Sequence, residues 1–174
     1  MDGLEIRPIR GGDLAMLREY FDEGTPEQPE QGLARQREGR GEFVIAFLHG
    51  VPVGYLALYW DAEPHAPPEW QGTVPNLSGF VVQEQYRSMG IGTEMMRVAE
   101  HLASEAGFSL LGLGVGVDNH RARSLYERLG YADAGLPEVT DSGSFRRWDG
   151  TVHEWRETWC FMVKGLHADQ ADER

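Results

Sequence analysis

Hydrophobic residues recur along this chain with two different periods, which predict two kinds of element. Alternating apolar and polar positions are typical of a strand with one buried face, and apolar positions three or four residues apart are typical of an amphipathic helix. The predicted strands cover residues 4–9, 43–48, 53–60, 77–82, 110–117, 144–148 and 157–163. The predicted helices cover residues 13–21, 31–40, 90–106 and 119–129. Strands cluster at both ends of the chain, and this order predicts an α/β (α+β) fold built on a mixed sheet.

Turn and capping residues mark the ends of several predicted elements. Asp13 can cap the first helix, and the stretch from Gly24 to Pro29 separates it from the second. His49-Gly50-Val51-Pro52 lies between two apolar runs and predicts a hairpin turn. Gly130 follows the last helix, where a glycine commonly ends one.

The length and the apolar content are those of one globular domain. The chain has 174 residues, of which 41% are hydrophobic, so we expect a single domain over residues 1–166 and a polar tail over residues 167–174. No apolar run approaches the roughly 20 residues that cross a bilayer, and the first ten residues do not resemble a signal peptide. The single cysteine, Cys160, excludes an intramolecular disulfide and is expected in the core. A cytoplasmic protein without membrane association is therefore expected.

The charge of the chain narrows the classes of partner. The net charge is −12, and such a surface repels nucleic acid and anionic membranes. It favours a cationic partner instead, and no metal site is predicted.

The segment from Val82 to Thr93 is the first candidate site. A strand ends there, a polar turn follows, and a helix begins at Gly90 and Gly92. The first turn of a helix has unpaired N–H groups and the positive end of the helix dipole, and glycines let a ligand approach that backbone closely. With Arg87 as a further donor, the segment predicts a phosphate site; a glycine-rich packing turn is the alternative. It lacks the lysine of a P-loop and the third glycine of a dinucleotide fingerprint.

A second motif lies one strand downstream. Asn119, Ala122, Leu125, Tyr126, Gly130 and Tyr131 form the pattern N-x-x-A-x-x-L-Y-x-x-x-G-Y. Together with Arg87-Ser88-Met89-Gly90-Ile91-Gly92, the pattern R-x-x-G-x-G, this order resembles the GCN5-related N-acetyltransferase (GNAT) superfamily. The specific part of the resemblance covers Leu77 to Tyr131 and says nothing about the acceptor.

The resemblance implies a fold and a co-substrate. It implies six or seven mostly antiparallel strands that splay between the fourth and the fifth, with about four helices. It implies acetyl-CoA as co-substrate and no metal. The backbone of Val81 and Val82 would contact the pantetheine arm, and Asn119 would hydrogen-bond the cofactor or cap its helix. The pyrophosphate would be held by Arg87, Ser88, Met89, Gly90, Ile91, Gly92 and Thr93.

Tyr126 is the candidate catalytic residue under this resemblance. Acetyl transfer expels a thiolate, and a phenol can donate a hydrogen bond or a proton to it. An ordinary half-buried tyrosine is the alternative. A general base is not assigned, because the two positions where relatives carry a glutamate are Asn76 and Gly114 here. Other candidates, each also explicable as a solvated loop residue, are Asp61, Glu63 and His65.

The predicted acceptor site combines acidic and aromatic residues. Gly112, Gly114 and Gly116 leave one face of the fifth strand bare, which suggests a hollow for a bulky acceptor or close packing by another element. Three segments would form the wall: residues 19–30, 60–70 and 148–155. Their acidic members are Glu23, Glu27, Glu30, Asp61, Glu63, Glu69, Asp149 and Glu154, and their aromatic members are Tyr20, Trp60, Trp70, Trp148 and Trp155. This composition suits a small or cationic amine, although a charged run is often only solvated surface.

Several alternatives stay open at this point. The chain could acetylate a protein or peptide amine, transfer another acyl group, or be an inactive acyl-CoA-binding sensor. A dinucleotide site at Gly112-x-Gly114-x-Gly116 is disfavoured, because those glycines lie inside a strand. An exposed edge of the C-terminal strands could pair across a homodimer.

Overall fold

The computed structural model describes residues 1–21, 27–147 and 149–166. Within them, eight strands form one sheet that carries four α-helices. The strands are β1 (Leu4–Pro8), β2 (Gly41–Leu48), β3 (Val51–Tyr59), β4 (Asn76–Val82), β5 (Leu110–Gly116), β6 (Ala132–Asp133), β7 (Val139–Arg146) and β8 (Val152–Gly165). The helices are α1 (Asp13–Tyr20), α2 (Glu27–Arg37), α3 (Ile91–Glu105) and α4 (His120–Arg128).

The sheet is mixed and splays in its middle, as the resemblance implies. Its order is β1-β2-β3-β4-β5-β8-β6, with β7 paired to the far part of β8. Every neighbouring pair is antiparallel except β4 and β5. Those two strands pair only at Asn76 with Gly112 and at Leu77 with Leu113. The remainder of β4, from Ser78 to Val82, diverges from β5, and the gap between them opens toward α4.

The core lies on both faces of the sheet. Alternate residues of β2 point to opposite sides, so Val44 and Ala46 join the cluster under α3 and α4. Phe43, Ile45 and Phe47 join the cluster under α1 and α2. All five are at most 3% exposed. Both faces of β2 are therefore buried, which explains why its sequence is a continuous run of apolar residues. Each fully buried side chain of this size contributes about 2 kcal/mol.

Two predicted boundaries need correction. Asp13 is the first residue of α1 and not its cap; its carboxylate accepts from the Arg10 amide and pairs with Arg7. Helix α2 begins at Glu27, upstream of the predicted start, because a proline such as Pro29 is tolerated in a first turn whose amides lack helical partners. Residues 27–29 of the predicted break therefore belong to the helix, and residues 24–26 lie outside the described residues.

The C-terminal strands are longer and more numerous than predicted. The predicted strand at 144–148 is the end of β7, and β8 runs for 14 residues. Because β7 is largely exposed, its sequence lacks the apolar alternation that marks a strand. Strand β6 has two residues, too few for any period to show. Sequence patterns therefore underestimated this end of the sheet.

In the described part of the chain, none of the helices has the length and apolar character needed to cross a membrane. The same residues contain no cluster of three histidine, cysteine or acidic side chains that could hold a metal ion.

Candidate active site

The start of α3 presents unpaired backbone amides to an open cleft. Ser88 and Gly90 adopt positive φ angles of 63° and 86°, which turn the chain from β4 into the helix. The first helical hydrogen bond runs from the Glu94 amide to the Gly90 carbonyl, so the amides of residues 91–93 have no acceptor inside the helix. A Cβ added at Gly90 would meet no atom within 4 Å. The geometry suits a phosphate group at this helix end.

Two arginines flank these amides in different ways. Arg87 donates from Nε to the Val82 carbonyl at 2.9 Å, which fastens the loop to the end of β4 and leaves its two terminal nitrogens for a ligand. Arg121 reaches across from α4 and donates to Ser88 Oγ at 3.0 Å. The predicted phosphate loop is thus held from both sides of the cleft.

The cleft between β4, the loop and α4 has a volume of about 800 Å³. Nine of the predicted site residues line it: Val81, Val82, Arg87, Ser88, Gly90, Gly92, Thr93, Asn119 and Tyr126. The side chains of Met89 and Ile91 do not. Met89 is 46% exposed on the outer side of the turn, and Ile91 is 1% exposed in the core. Any contribution from those two residues would come from their backbone.

Sequence reasoning missed two cationic residues of the cleft. Arg121 and Arg128 line it from α4, seven residues apart and so on one face of that helix. In a chain of net charge −12 they place positive charge beside an anion site. The seven-residue spacing is visible in the sequence. Both arginines, however, occupy positions marked x in the pattern N-x-x-A-x-x-L-Y-x-x-x-G-Y, which specifies no residue there.

Asn119 occupies the cap position of α4. Its Oδ1 accepts the Ala122 amide at 3.1 Å, so the capping role is confirmed. The Nδ2 group of the same side chain has two donors, and Asn119 also lines the cleft. Capping therefore leaves the cofactor contact open as a second role.

Tyr126 projects from α4 to the inner end of the cleft. The residue is 5% exposed, and its ring centroid lies 6.4 Å from that of Phe80 and 6.0 Å from that of Tyr131. Burial raises the pKa of the Tyr126 phenol to about 12. The hydroxyl has no hydrogen-bond partner in the described residues. The Tyr126 hydroxyl is therefore protonated at neutral pH and can donate a hydrogen bond to a ligand in the cleft.

A second cavity, of about 740 Å³, opens on the other side of the splayed strands. It is lined by Arg35 of α2, the end of β3 and the loop after it, the start of β4, the glycine face of β5 and the β7–β8 hairpin. Its acidic members are Asp61, Glu63, Asp141 and Glu157, and its aromatic members are Tyr59, His65, Trp155 and Trp159. Asn76 and Gly114 also line it. We call it the acceptor cavity below.

The predicted acceptor wall is only partly brought together. Asp61, Glu63 and Trp155 line the acceptor cavity. Trp60 packs on Phe108 and Trp70 on Phe161, both as structural contacts. Other predicted members that line none of the three cavities are Tyr20, Glu30, Glu69, Asp149 and Glu154. The side chains of Glu23, Glu27 and Trp148 lie outside the described residues.

Side chains from other elements cover the glycine face of β5, which is not an empty floor. A Cβ at Gly112 would lie 2.9 Å from Val74 and 3.1 Å from Trp70, and one at Gly114 would lie 3.0 Å from Trp159 Cδ1. The packing alternative therefore holds for Gly112 and for Gly114, and Gly114 and Gly116 also form part of the cavity wall.

A junction connects the cleft to the acceptor cavity. A space of about 550 Å³ is lined by residues 116–119 and 156–158. It shares Asn119 with the cleft and shares Gly116 and Glu157 with the acceptor cavity. The cleft and the acceptor cavity therefore border a common space beside the end of β5 and the start of α4.

Known proteins resemble this chain in sequence and in fold. The model of the acetyltransferase (GNAT) family matches residues 13–131. An aminoglycoside N(6′)-acetyltransferase type 1 of Klebsiella aerogenes is 25% identical over 151 residues, which cover 82% of this chain and 95% of the relative.

Solved structures share the fold at low identity. An N-acetyltransferase of Staphylococcus aureus Mu50 superposes with a TM-score of 0.71 at 15% identity, over 94% of this chain and 99% of that one. A protein of Salmonella typhimurium, solved with its cofactor acetyl-CoA, superposes with a TM-score of 0.70 at 16% identity, over 98% of both chains.

Proposed function

The chain belongs to the acetyltransferase (GNAT) family, and from this membership we propose that it transfers the acetyl group of acetyl-CoA to an amine of a small cationic molecule. One observation carries the proposal: an anion-binding cleft and an acidic, aromatic cavity meet at the junction beside Asn119 and Gly116. The two spaces have the opposite electrostatic character that a polyanionic donor and a cationic acceptor require.

The cleft supports acetyl-CoA as the donor. The free amides of residues 91–93 and the positive end of α3 hold the pyrophosphate, and Arg87, Arg121 and Arg128 add charge-assisted donors. The unpaired edge of β4 offers backbone groups to the pantetheine arm, which places the thioester near the junction. A protein with the same fold was solved with acetyl-CoA, which supports acetyl-CoA as the donor.

Tyr126 is the proposed general acid. When the amine attacks the acetyl carbonyl, the C–S bond breaks and the sulfur leaves as a thiolate. A coenzyme A thiol has a pKa of about 8.5 in water, below the value of about 12 for Tyr126. Burial in the same cleft raises the pKa of the thiol as well, which narrows that gap. The phenol therefore stabilises the thiolate by a hydrogen bond and supplies its proton.

The acceptor cavity supports a cationic amine as the second substrate. Carboxylates attract ammonium groups, and the faces of Trp155 and Trp159 stabilise a cation by about 0.5–2 kcal/mol each. The relative named as an aminoglycoside N(6′)-acetyltransferase makes aminoglycosides the first class of acceptor to test.

A thiol-release assay tests the proposal. Wild type is supplied with acetyl-CoA and a panel of aminoglycosides, polyamines and peptides with free N-termini, and products are weighed by mass spectrometry. We expect acetylated small amines. Tyr126→Phe is expected to lower kcat/KM about 100- to 1000-fold with unchanged acetyl-CoA affinity.

Tyr55→Phe is the matched control, because Tyr55 is 5% exposed like Tyr126 but lies in the core cluster under α1 and α2 and lines none of the three cavities. It should retain wild-type kcat/KM. If only peptides were acetylated, the acceptor would be a protein or peptide amine, and the proposal of a small cationic acceptor would be wrong. Binding of acetyl-CoA without thiol release from any amine would contradict the enzymatic proposal and favour an acyl-CoA sensor.

A further inference from the structure

One carboxylate and two indole rings share a single face of β8. Because side chains alternate along a strand, Trp155, Glu157 and Trp159 lie on that face, and all three line the acceptor cavity. The two indole centroids are 6.5 Å apart. A carboxylate and aromatic rings in one cavity both attract an ammonium group.

The same carboxylate reaches over the bare backbone of β5. A Cβ at Gly116 would overlap Glu157 Oε1, and it would lie 3.7 Å from Asn119 Cβ. The absence of a side chain at Gly116 thus lets the Glu157 carboxylate approach Asn119, where the cleft joins the cavity. Among the described residues, Glu157 is the acidic residue that lines both the junction and the acceptor cavity.

Two other carboxylates of the cavity are already paired. Asp61 accepts from Arg35 at 3.0 Å and from Arg40 at 3.3 Å. Glu63 accepts the main-chain amide of His65 at 2.6 Å and lies 3.0 Å from its ring Nδ1. A carboxylate held by such partners is a weak candidate for taking a proton from substrate.

Asp141 and Glu157 face each other across β7 and β8 but differ in their contacts. Asp141 accepts the Ser142 amide at 2.7 Å and has His65 Nε2 at 3.9 Å. Glu157 has neither an ion pair nor a side-chain hydrogen bond within the part of the chain that the structure describes. The other titratable or charged groups that line the junction or the acceptor cavity are Arg35, Tyr59, Asp61, Glu63, His65, Asp118, Asp141 and Arg156.

We propose that Glu157 is the general base of the reaction, a role that rests on the acetyl transfer proposed above. A primary ammonium has a pKa near 10, so only about one molecule in a thousand is neutral at pH 7. The Glu157 carboxylate takes one proton from the ammonium, and the freed lone pair attacks the acetyl carbonyl. The C–S bond then breaks, and the thiolate takes a proton from Tyr126.

The nitrogen loses its second proton as the amide forms, and one proton restores the Tyr126 phenol. Net, one ammonium and one acetyl-CoA give one amide, one coenzyme A thiol and one proton to solvent. The base stands on β8, at a different position from Asn76 and Gly114, and all three residues line the acceptor cavity.

Comparing Glu157→Gln with Glu154→Gln tests the role of Glu157. We expect Glu157→Gln to lower kcat about 100-fold or more at pH 7, with activity recovering as the pH rises toward the pKa of the amine. Its acetyl-CoA affinity, measured by calorimetry, should match wild type. Glu154→Gln removes a charge from the same strand, at a residue that lines none of the three cavities, and should retain kcat and the shape of the pH profile.

An acceptor that needs no base gives the sharpest readout. An alkoxyamine analogue of the acceptor is neutral at pH 7, so the defect of Glu157→Gln should shrink to a few-fold with it. A defect confined to KM, with the wild-type pH profile, would make Glu157 a binding residue and overturn the proposal. Equal kcat in wild type and Glu157→Gln would also overturn the proposed role of Glu157, but not the proposed acetyl transfer. A wild-type protein that acetylates none of the amines would overturn both proposals.

Discussion

Arg121 on α4 donates a hydrogen bond of 3.0 Å to Ser88 Oγ in the loop before α3, joining two sequence motifs that are 33 residues apart. Ser88 adopts a left-handed conformation with a φ of 63°, which is uncommon for a residue with a side chain. The contact holds this strained turn next to the free amides of α3. It therefore couples the geometry of the phosphate loop to a cation on the opposite wall of the cleft.

Removing this cation should weaken donor binding. Arg121→Ala is expected to raise the Kd for acetyl-CoA about tenfold, because a charge-assisted contact to phosphate contributes about 1.5 kcal/mol. The loss should shrink at high salt. Arg97→Ala, on the exposed side of α3 where Arg97 pairs with Glu94, is the control and should bind normally. If both substitutions raised the Kd for acetyl-CoA equally, the effect of Arg121 would come from the net charge of the protein and not from a contact in the cleft.

The left-handed glycine before α3 should matter for binding beyond its cost in stability. Gly90→Ala and Gly50→Ala both place a side chain at a positive φ, 86° and 82°, with no atom within 4 Å of the new Cβ. Each should lower the free energy of unfolding by about 1 kcal/mol. Only Gly90→Ala should weaken acetyl-CoA binding, since Gly50 lies in the β2–β3 turn. Denaturant titration and calorimetry measure the two effects separately, and wild-type affinity in Gly90→Ala would refute this role.

The glycine under Trp159 should control the acceptor and not the donor. A Cβ at Gly114 would lie 3.0 Å from Trp159 Cδ1, closer than side chains pack without moving. Gly114→Ala should displace the indole and raise the acceptor KM about fivefold, with the acetyl-CoA Kd unchanged. Gly165→Ala, at the end of β8 with open space around its Cβ, controls for a strand glycine. An unchanged KM in Gly114→Ala would mean that Trp159 does not contact the acceptor.

Stability should depend on pH through Asp13. Its carboxylate receives two hydrogen bonds from Arg7, at 2.7 and 3.0 Å, and these hold the pKa of Asp13 below its ordinary value. A depressed folded pKa stabilises the protein above the unfolded value of about 3.9, and the contribution is lost as the pH falls through the folded pKa. Asp13→Asn should therefore cost about 2 kcal/mol at pH 7 and progressively less below pH 4.

Denaturant titrations at several pH values measure that difference. Glu38→Gln is the control, because Glu38 and Arg40 form an exposed pair at 3.3 Å and should contribute nothing measurable. A penalty for Asp13→Asn that stays constant down to pH 2 would show that the ion pair is not its source.

Local sequence patterns predicted most of the elements and half of the site. The apolar stripe of α3 is buried at Ile91, Met95 and Ala99, and Asn119 caps α4 through a contact to a residue three positions away. These features depend on neighbours in sequence. Strand β7 was predicted only at its C-terminal end because both of its faces are largely exposed, and Asp13 was misread because its partner Arg7 lies on a different element.

The sequence by itself determined the donor cleft, because a positive-φ glycine, a helix start and a capping asparagine are encoded by residues within a few positions of one another. The tertiary structure alone decided the acceptor side. The register of β8 on β5 pairs Gly116 with Trp159, and this brings the Trp159 side chain next to Gly114 and the Glu157 side chain next to Gly116, across more than 40 positions of chain. No periodicity records such a pairing, because register depends on how the whole sheet packs and not on the strand itself.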